Sequence, residues 1–426
     1  MRFPGARIAK HYFPVPRRSG PEVRPEVRAP TWRLLGLDQV LVDVEVHAPR
    51  AFVEQLGLTV GESVGLDDDD FAELLDRVEQ EGLNCRYTPG GTVANTLNNY
   101  THLSGEPAVL LGAIEEAIRP GSPAFHFVAQ TDKTVDLRHL VGVDGPVGTA
   151  ITFISPDGER SFAVAAGCST RYTAEHLPDD LEDAAAVVAS LYTVADPAWP
   201  ITGATLAMME RANAAGVPVA FGLGTAGLVR RLRPFVRELL QQHVTIAAMN
   251  NREAEALTDE EDALLACQQA LDWVDLVIVT EGPEGMTIGG YVDAGSSRRT
   301  GEEVRSKSIP RYNQWEFSRL MRRDDCAEPL KIYTHIHPYR GGPDRMSNTS
   351  GAGDAALAAI LHDVAANQYH RATVPGSAKH QGPPFLTYSS LSRNAQYGNR
   401  VAYEVLKGFS PRLASPVGSD VQEADD

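Results

Sequence analysis

The sequence predicts an α/β fold: a mainly parallel central sheet covered by helices on both faces, with a small β lid beside it. Three observations predict this. Short apolar strands alternate with helix-like segments from Trp32 to Thr280, as in a parallel sheet buried on both sides. A Gly-rich turn, Asn348–Asp354, leads straight into an apolar helix, Ala355–His362. Val147–Val164 alternates around Pro156-Asp157-Gly158-Glu159, a hairpin signature that stands outside the strand–helix alternation and belongs to a separate small sheet.

The elements follow in order. Residues 1–30 are rich in Pro and Arg and show neither helical nor strand periodicity, so they read as an N-terminal arm. Trp32–Val46 is rich in Leu and Val and reads as one strand running into a second. Ser63–Glu81 reads as an amphipathic helix opening on Asp67–Asp70. Negative charge suits a helix start, and a solvated helix end explains this run better than a metal site. Pro89-Gly90-Gly91 precedes a helix over Val93–Leu103, and Ala108–Gly112 is a short buried strand. Ala184–Ser190, Val217–Gly222 and Val244–Met249 are further strands with helix-like segments between them. Glu253–Leu257 reads as a helix, and Trp273–Thr280 as a central strand. Two stretches, Tyr291–Ser347 and Asn367–Pro384, read as long loops, which in a compact domain carry function or are insertions. Residues 416–426 form an acidic C-terminal tail.

Composition narrows the function classes. The chain has 426 residues, of which 43% are hydrophobic, enough for one large domain or two average ones. Its net charge is -17, with 56 acidic against 39 basic residues. Such a surface repels phosphate backbones and anionic membranes, so neither nucleic acid nor membrane is the expected partner. Cys85, Cys168, Cys267 and Cys326 are far apart and form no CxxC pair. A disulfide framework or zinc knuckle is not expected, and a reducing, cytoplasmic location is. No apolar run reaches the ~20 residues of a membrane span.

Four segments carry candidate chemistry. In the first, Gly351-Ala352-Gly353-Asp354 opens an apolar helix. A helix start presents free N–H groups to an anion, and glycines let it come close. A carboxylate there suits removal of a proton from an attacking hydroxyl while the amides hold a transferred phosphoryl group. The bland alternative is a helix after a flexible loop. In the second, Gly90-Gly91 with Asn95 offers a small ligand bare backbone and an amide that both donates and accepts; an ordinary turn is the alternative. The third, Asn250 and Glu253 after a strand, can face one point and hold magnesium through water, or simply be strand-end and helix-start residues. In the fourth, Thr280-Glu281-Gly282-Pro283-Glu284-Gly285, small residues can admit a nucleotide, or the segment is a plain turn. His335 and His337 lack further metal ligands in sequence and read as loop packing, and Arg371, Lys379 and His380 read as solvated surface.

Taken together, in this order, the segments resemble the ribokinase-like (PfkB) family of carbohydrate and nucleoside kinases, over most of residues 32–410. The resemblance implies a ribokinase-like three-layer α/β/α fold whose lid strands lie near residues 40–46 and 147–164, in one kinase domain over residues 31–415. Gly36–Asp43 is similar to the family's opening strand, whose terminal Asp binds sugar hydroxyls; here that is Asp43. Gly90, Gly91 and Asn95 match GGxxxN, which also contacts the sugar. Asn250 and Glu253 match NxxE, associated with magnesium and phosphate. Thr280, Gly282 and Gly285 match TxGxxG near the nucleotide. Gly351, Ala352 and Gly353 match the anion hole, and Asp354 the catalytic base. ATP and magnesium are the implied cofactors, and a small nucleoside the implied substrate. An exposed lid edge is a place for a second copy to dock as a homodimer.

Two departures stand out. Asn348 replaces the Asp that usually opens the family signature, removing charge from where a potassium ion would bind. Residues 286–350 are longer than the usual spacing, with an insertion near 291–347 that carries Tyr312–Arg323 and Thr334–Met346. Together with Phe3-Pro4-Gly5 and His11-Tyr12-Phe13-Pro14, this insertion resembles the branch of the family that acts on inosine and guanosine. The resemblance therefore implies phosphorylation of a purine nucleoside 5′-hydroxyl, with adenosine, a free sugar or a catalytically silent relative as alternatives.

Overall fold

A computed structural model describes residues 32–60, 63–157, 159–181, 183–299, 314–343, 350–380, 382–408 and 410–413. The N-terminal arm, the acidic tail, Asn348 and parts of the 291–347 insertion lie outside the described residues.

The central sheet grows from strands that are apolar on both faces. β1 (Arg33–Leu37), β5 (Ala108–Glu115), β10 (Ala184–Ser190), β11 (Val219–Gly222), β12 (Ile246–Asn250) and β13 (Leu276–Thr280) pair in parallel in the order β13-β12-β11-β10-β1-β5. Every residue of β10 is buried, as a strand covered on both faces requires. Two apolar clusters flank the sheet. One side carries Leu35, Val187, Phe221 and Val277 and packs on α5 (Pro200–Ala214), α6 (Ala226–His243), α7 (Asn251–Thr258) and α8 (Ala263–Ala270). The other carries Leu34, Val188 and Ile278 and packs on α3 (Thr92–Ser104), α9 (Ala352–Thr373) and α10 (Leu391–Lys407). The run Ala355–Asn367 of α9 is buried all round, which marks an internal helix.

The lid is a separate five-stranded sheet in the order β3-β9-β8-β2-β4. β8 (Gly148–Ile154) and β9 (Arg160–Ala165) form the expected hairpin, and β2 (Leu41–His47) lies parallel to β8. β3 (Ser63–Gly65) and β4 (Cys85–Pro89) complete it. Side chains alternate across a strand. Val42, Val44 and Val46 of β2 therefore point into the core with α2 (Asp68–Gln80), and Asp43 points the other way.

Several expectations need correction. Gly36–Asp43 is not one strand. β1 stops at Leu37, the chain leaves the central sheet at Asp38, and Asp43 belongs to the lid. The break follows from Asp38, whose carboxylate turns back to the start of α3. Ser63–Glu81 splits into β3 and a helix that starts at Asp68 with Asp67 as its cap.

The stretch read as loop from Tyr291 holds strands. β14 (Met286–Asp293) pairs antiparallel with β13 and with β16 (Pro329–Ile336), and β15 (Arg319–Met321) joins it at Tyr291. Gly289 and Gly290 hide the first of these strands. A Cβ at Gly289 would sit 2.6 Å from Cys267 Sγ, and one at Gly290 2.7 Å from Leu320 Cδ2, so packing demands glycine inside the strand. The loop read at Asn367–Pro384 is helical as far as Thr373. Asn367 is buried, accepts from Arg319 at 2.7 Å and donates to the Phe385 carbonyl at 2.6 Å. This ties α9 to β17 (Phe385–Ser390).

Candidate active site

The C-terminal ends of parallel strands are where an open α/β sheet presents ligand-binding residues. Here the ends of β1, β10, β12 and β13 bring Asp38, Tyr192, Asn250 and Thr280 to one edge. The lid closes over that edge from β2, and α9 enters it at its N-terminus.

Two glycines set the sugar-facing wall. Helix α3 has no side-chain cap of its own, because its N-cap is Gly91. Asp38 supplies one from a distance, its Oδ2 accepting from the Ala94 amide at 2.8 Å. Gly91 has φ +87, and a Cβ there would lie 2.5 Å from Asp38 Oδ2. At Gly90 a Cβ would lie 2.8 Å from the Asp43 carboxylate. Asp43 thus rests against bare backbone. One turn further along α3, Asn95 donates from Nδ2 to Asp354 Oδ2 at 3.3 Å. Asp43, Gly90, Gly91, Asn95 and Asp354, from three elements, therefore meet in one place.

Asp354 stands in the first turn of α9. The N-cap of that helix is Gly351, with φ +79, and no side chain caps it. The leading amides of Ala352 and Gly353 are left to an incoming anion. A Cβ on Gly351 would lie 2.5 Å from Pro411, so the 410–413 segment runs directly over this turn.

The nucleotide-facing wall is built differently. Asn250 and Glu253 form a reciprocal capping box on α7. The Asn250 amide donates to Glu253 Oε2 at 3.0 Å and its Nδ2 to Oε1 at 2.6 Å. The Glu253 amide donates to Asn250 Oδ1 at 2.9 Å. Thr280 pairs in register with Asn250 across β12 and β13. Gly282 and Gly285 have φ +55 and +110, and a Cβ on Gly285 would lie 2.1 Å from the Ile336 carbonyl oxygen. Glu281, between them and Thr280, accepts from Thr287 Oγ1 at 2.6 Å and pairs with His335 at 3.3 Å. His335 and His337 meet edge to face at 5.2 Å. They pack the strand end, and no metal-ligand cluster occurs among the described residues. Arg371 lines a cavity with Gly216 and Pro218, before the start of β11, at the opposite edge of the sheet from the cleft.

The electrostatics are dominated by crowded, desolvated carboxylates. Burial pushes Asp354 up to about 8, helped by the charges of Asp38, Glu253 and Asp43 and opposed by the Asn95 bond. Burial likewise raises Asp38 to about 7, Asp43 to about 6 and Glu253 to about 7. Tyr192, also raised chiefly by burial, feels all four. The cation among them is Arg412, buried to 5% exposure. Burial lowers it to about 10, and Asp43, Asp38 and Asp354 hold it up against that.

Three of these residues are not among those the sequence motifs single out. Asp38 has a usable signal, an Asp directly after the first apolar strand. Tyr192 sits in a short 3-10 turn after β10, where nothing local marks it. Arg412 gives no local signal at all: its bonds reach Asn95, Thr131 and Gly90, hundreds of residues away.

The family described as pfkB family carbohydrate kinase matches residues 56–301, a span that ends before the Gly351–Asp354 turn. The chain is 43% identical over 417 residues to the guanosine-inosine kinase of Escherichia coli (strain K12), covering 97% of this chain and 96% of that protein. Among solved structures, a probable sugar kinase protein from Rhizobium etli CFN 42 superposes with a TM-score of 0.66 at 19% identity, covering 92% of this chain and 97% of that one. Adenosine kinase from Sinorhizobium meliloti does so with 0.64 at 21%, covering 91% and 97%.

Proposed function

The chain belongs to the pfkB family of carbohydrate kinases, and from that premise we propose how its cleft works. The protein is an ATP-dependent purine nucleoside kinase that transfers a phosphoryl group to a nucleoside hydroxyl. Its acceptor is the 5′-hydroxyl of inosine or guanosine, and the products are the nucleoside monophosphate and ADP. One observation carries the acceptor class: the whole-length likeness to guanosine-inosine kinase.

In this reading the ribose lies against Gly90 and Gly91, with its hydroxyls on Asp43 and Asn95. The 5′-oxygen attacks the γ-phosphorus, the bond from that phosphorus to the bridging oxygen of ADP breaks, and the proton passes to Asp354. A carboxylate raised to about 8 holds a proton well, which suits a base that must take one from an alcohol. The amides of Gly351, Ala352 and Gly353 carry the charge that develops on the transferred group. Thr280, Gly282 and Gly285 flank the nucleotide. Closing the lid, with Asp43 on it, over the cleft would exclude water and suppress ATP hydrolysis.

Asn250 and Glu253 fit a hydrated magnesium ion. Both Glu253 oxygens accept from Asn250, and each keeps a second lone pair for a water. The buried carboxylate gains from any nearby cation. When bound, magnesium supplies charge neutralisation on the ATP phosphates. We further propose a cytoplasmic location, in keeping with the four free cysteines, and a homodimer through the lid edge. Potassium is a separate arm of the assay, and activation by it would argue for a cation beside the anion hole.

The test is phosphate transfer from ATP·Mg to inosine, guanosine, adenosine, cytidine, ribose and fructose. Product is expected on inosine and guanosine, with turnover reduced ~10³-fold in Asp354→Asn. Product confined to adenosine or a free sugar would overturn the acceptor, and near-normal turnover in Asp354→Asn would overturn the base.

A further inference from the structure

One buried charge takes no part in the transfer as described. Arg412 lies in the segment 410–413, which is bound to α3. Asn99 holds the segment on both sides of Arg412, donating to the Pro411 carbonyl at 3.3 Å and accepting from the Leu413 amide at 2.8 Å. Pro411 covers Gly351. The guanidinium then donates to three neutral oxygens: Asn95 Oδ1 at 2.9 Å, Thr131 Oγ1 at 2.9 Å and the Gly90 carbonyl at 3.4 Å. It stacks over Phe127 at 5.5 Å.

These contacts have two consequences. An amide side chain can be turned either way round, and only its partners decide which. Arg412 has donors only, so it fixes the oxygen of Asn95 towards itself and turns Nδ2 towards Asp354 Oδ2. A donor on that oxygen favours the ionised carboxylate. Arg412 also places a positive charge among Asp38, Asp43 and Asp354, with no short ion pair to it among the described residues.

We propose that Arg412 is a positioning residue for phosphoryl transfer, which orients Asn95 and favours the ionised form of Asp354 as the attacking hydroxyl arrives. This inference rests on the assignment of Asp354 as base. The groups facing Asp354 are Asn95 and Thr96 of α3, Asp38 after β1, Asp43 of the lid, Glu253 of α7 and Tyr192 after β10. Among the described residues, Arg412 is the cation that acts on them.

The experiment compares wild type, Arg412→Lys, Arg412→Gly and Asp354→Asn in kcat and kcat/KM against pH, with the melting temperature of each. In Arg412→Gly the acid limb of kcat/KM should move up by about one pH unit, with kcat at pH 7 reduced ~10-fold to ~100-fold. Arg412→Lys keeps the charge but lacks the planar fork, so it should restore the limb more fully than kcat. Added guanidinium ion at low millimolar concentration should restore turnover in Arg412→Gly but not in Asp354→Asn. An unshifted limb, or a loss that follows melting temperature alone and ignores guanidinium, overturns the role of Arg412 and leaves the base assignment standing. Should Arg412→Gly fail to fold, an unshifted acid limb in Arg412→Lys with unchanged kcat overturns it equally. Full activity in Asp354→Asn is the distinct result that removes the underlying assignment.

Discussion

The two walls of the cleft are held together in opposite ways. On the nucleotide side, Asn250 and Glu253 satisfy one another three residues apart, and the Gly282–Gly285 turn closes on itself through the Gly285 amide and the Gly282 carbonyl. On the sugar side, Asp38 reaches α3, Asn95 reaches α9, and Arg412 reaches both α3 and the Gly90 carbonyl. The first wall meets the bonds of Asn250 and Glu253 locally, although burial raises Glu253 to about 7. The second gathers three carboxylates that burial disfavours, and only their joint placement makes them useful. The difference separates residues that hold the fold from residues that the fold must hold.

If that division is right, substitutions on the two walls should fail differently. The largest structural effect should come from Gly285→Ala. Its φ of +110, and a carbonyl oxygen 2.1 Å from where the added Cβ would stand, combine backbone strain with a clash against main chain. We expect a loss of about 2–4 kcal/mol in urea denaturation. Wild-type stability there would mean that the nucleotide wall is not the rigid one. Next comes Asp43→Asn, which removes a desolvated charge from the sugar wall. The KM for nucleoside should rise ~10-fold to ~100-fold, as expected when a hydrogen bond to a charged group is lost, while the melting temperature holds or rises. A fall in melting temperature would show that Asp43 holds the lid and not only the substrate.

The smallest effect is a pH trend in the unliganded protein. Asp354, Asp38 and Asp43 are raised to about 8, 7 and 6, well above their values in the unfolded chain. Between those limits the native state binds more protons than the unfolded one, so stability falls as pH rises. The melting temperature should decline from pH 5 to pH 8, and less steeply in Asp354→Asn. A flat or rising trend would break the contrast between the walls.

The same contrast explains what can be read from sequence. The parallel strands, the lid hairpin, α3 and the Gly-rich start of α9 are local patterns, and they stand where the spacing puts them. The capping box at Asn250 and Glu253 is a local pattern too. The strands at 286–336 are obscured because Gly289 and Gly290 satisfy packing against Cys267 and Leu320, which no neighbour in sequence reveals. Thr334 is fully buried in β16, so hydrophobic alternation is lost there as well. Asp43 lies in the cleft on the lid strand expected near residues 40–46, while the reading of Gly36–Asp43 as one opening strand fails because the chain changes sheets at Asp38. Arg412 is invisible because its meaning lies wholly in distant partners.

Those distant partners also bear on the order in which the molecule takes shape. Joining Asn95 to Asp354 closes a loop across 259 positions, and joining Arg412 to Asn95 closes one across 317, whereas the Asn250–Glu253 box spans three. Chain entropy makes the longest of these closures costlier than the shortest by about 4 kcal/mol. The Asn250–Glu253 part of the nucleotide wall can therefore form as soon as β12 and α7 do, and the transfer site is completed only when the remainder of the chain is in place. On unfolding the sequence reverses: catalytic competence should vanish while the sheet and its nucleotide wall persist.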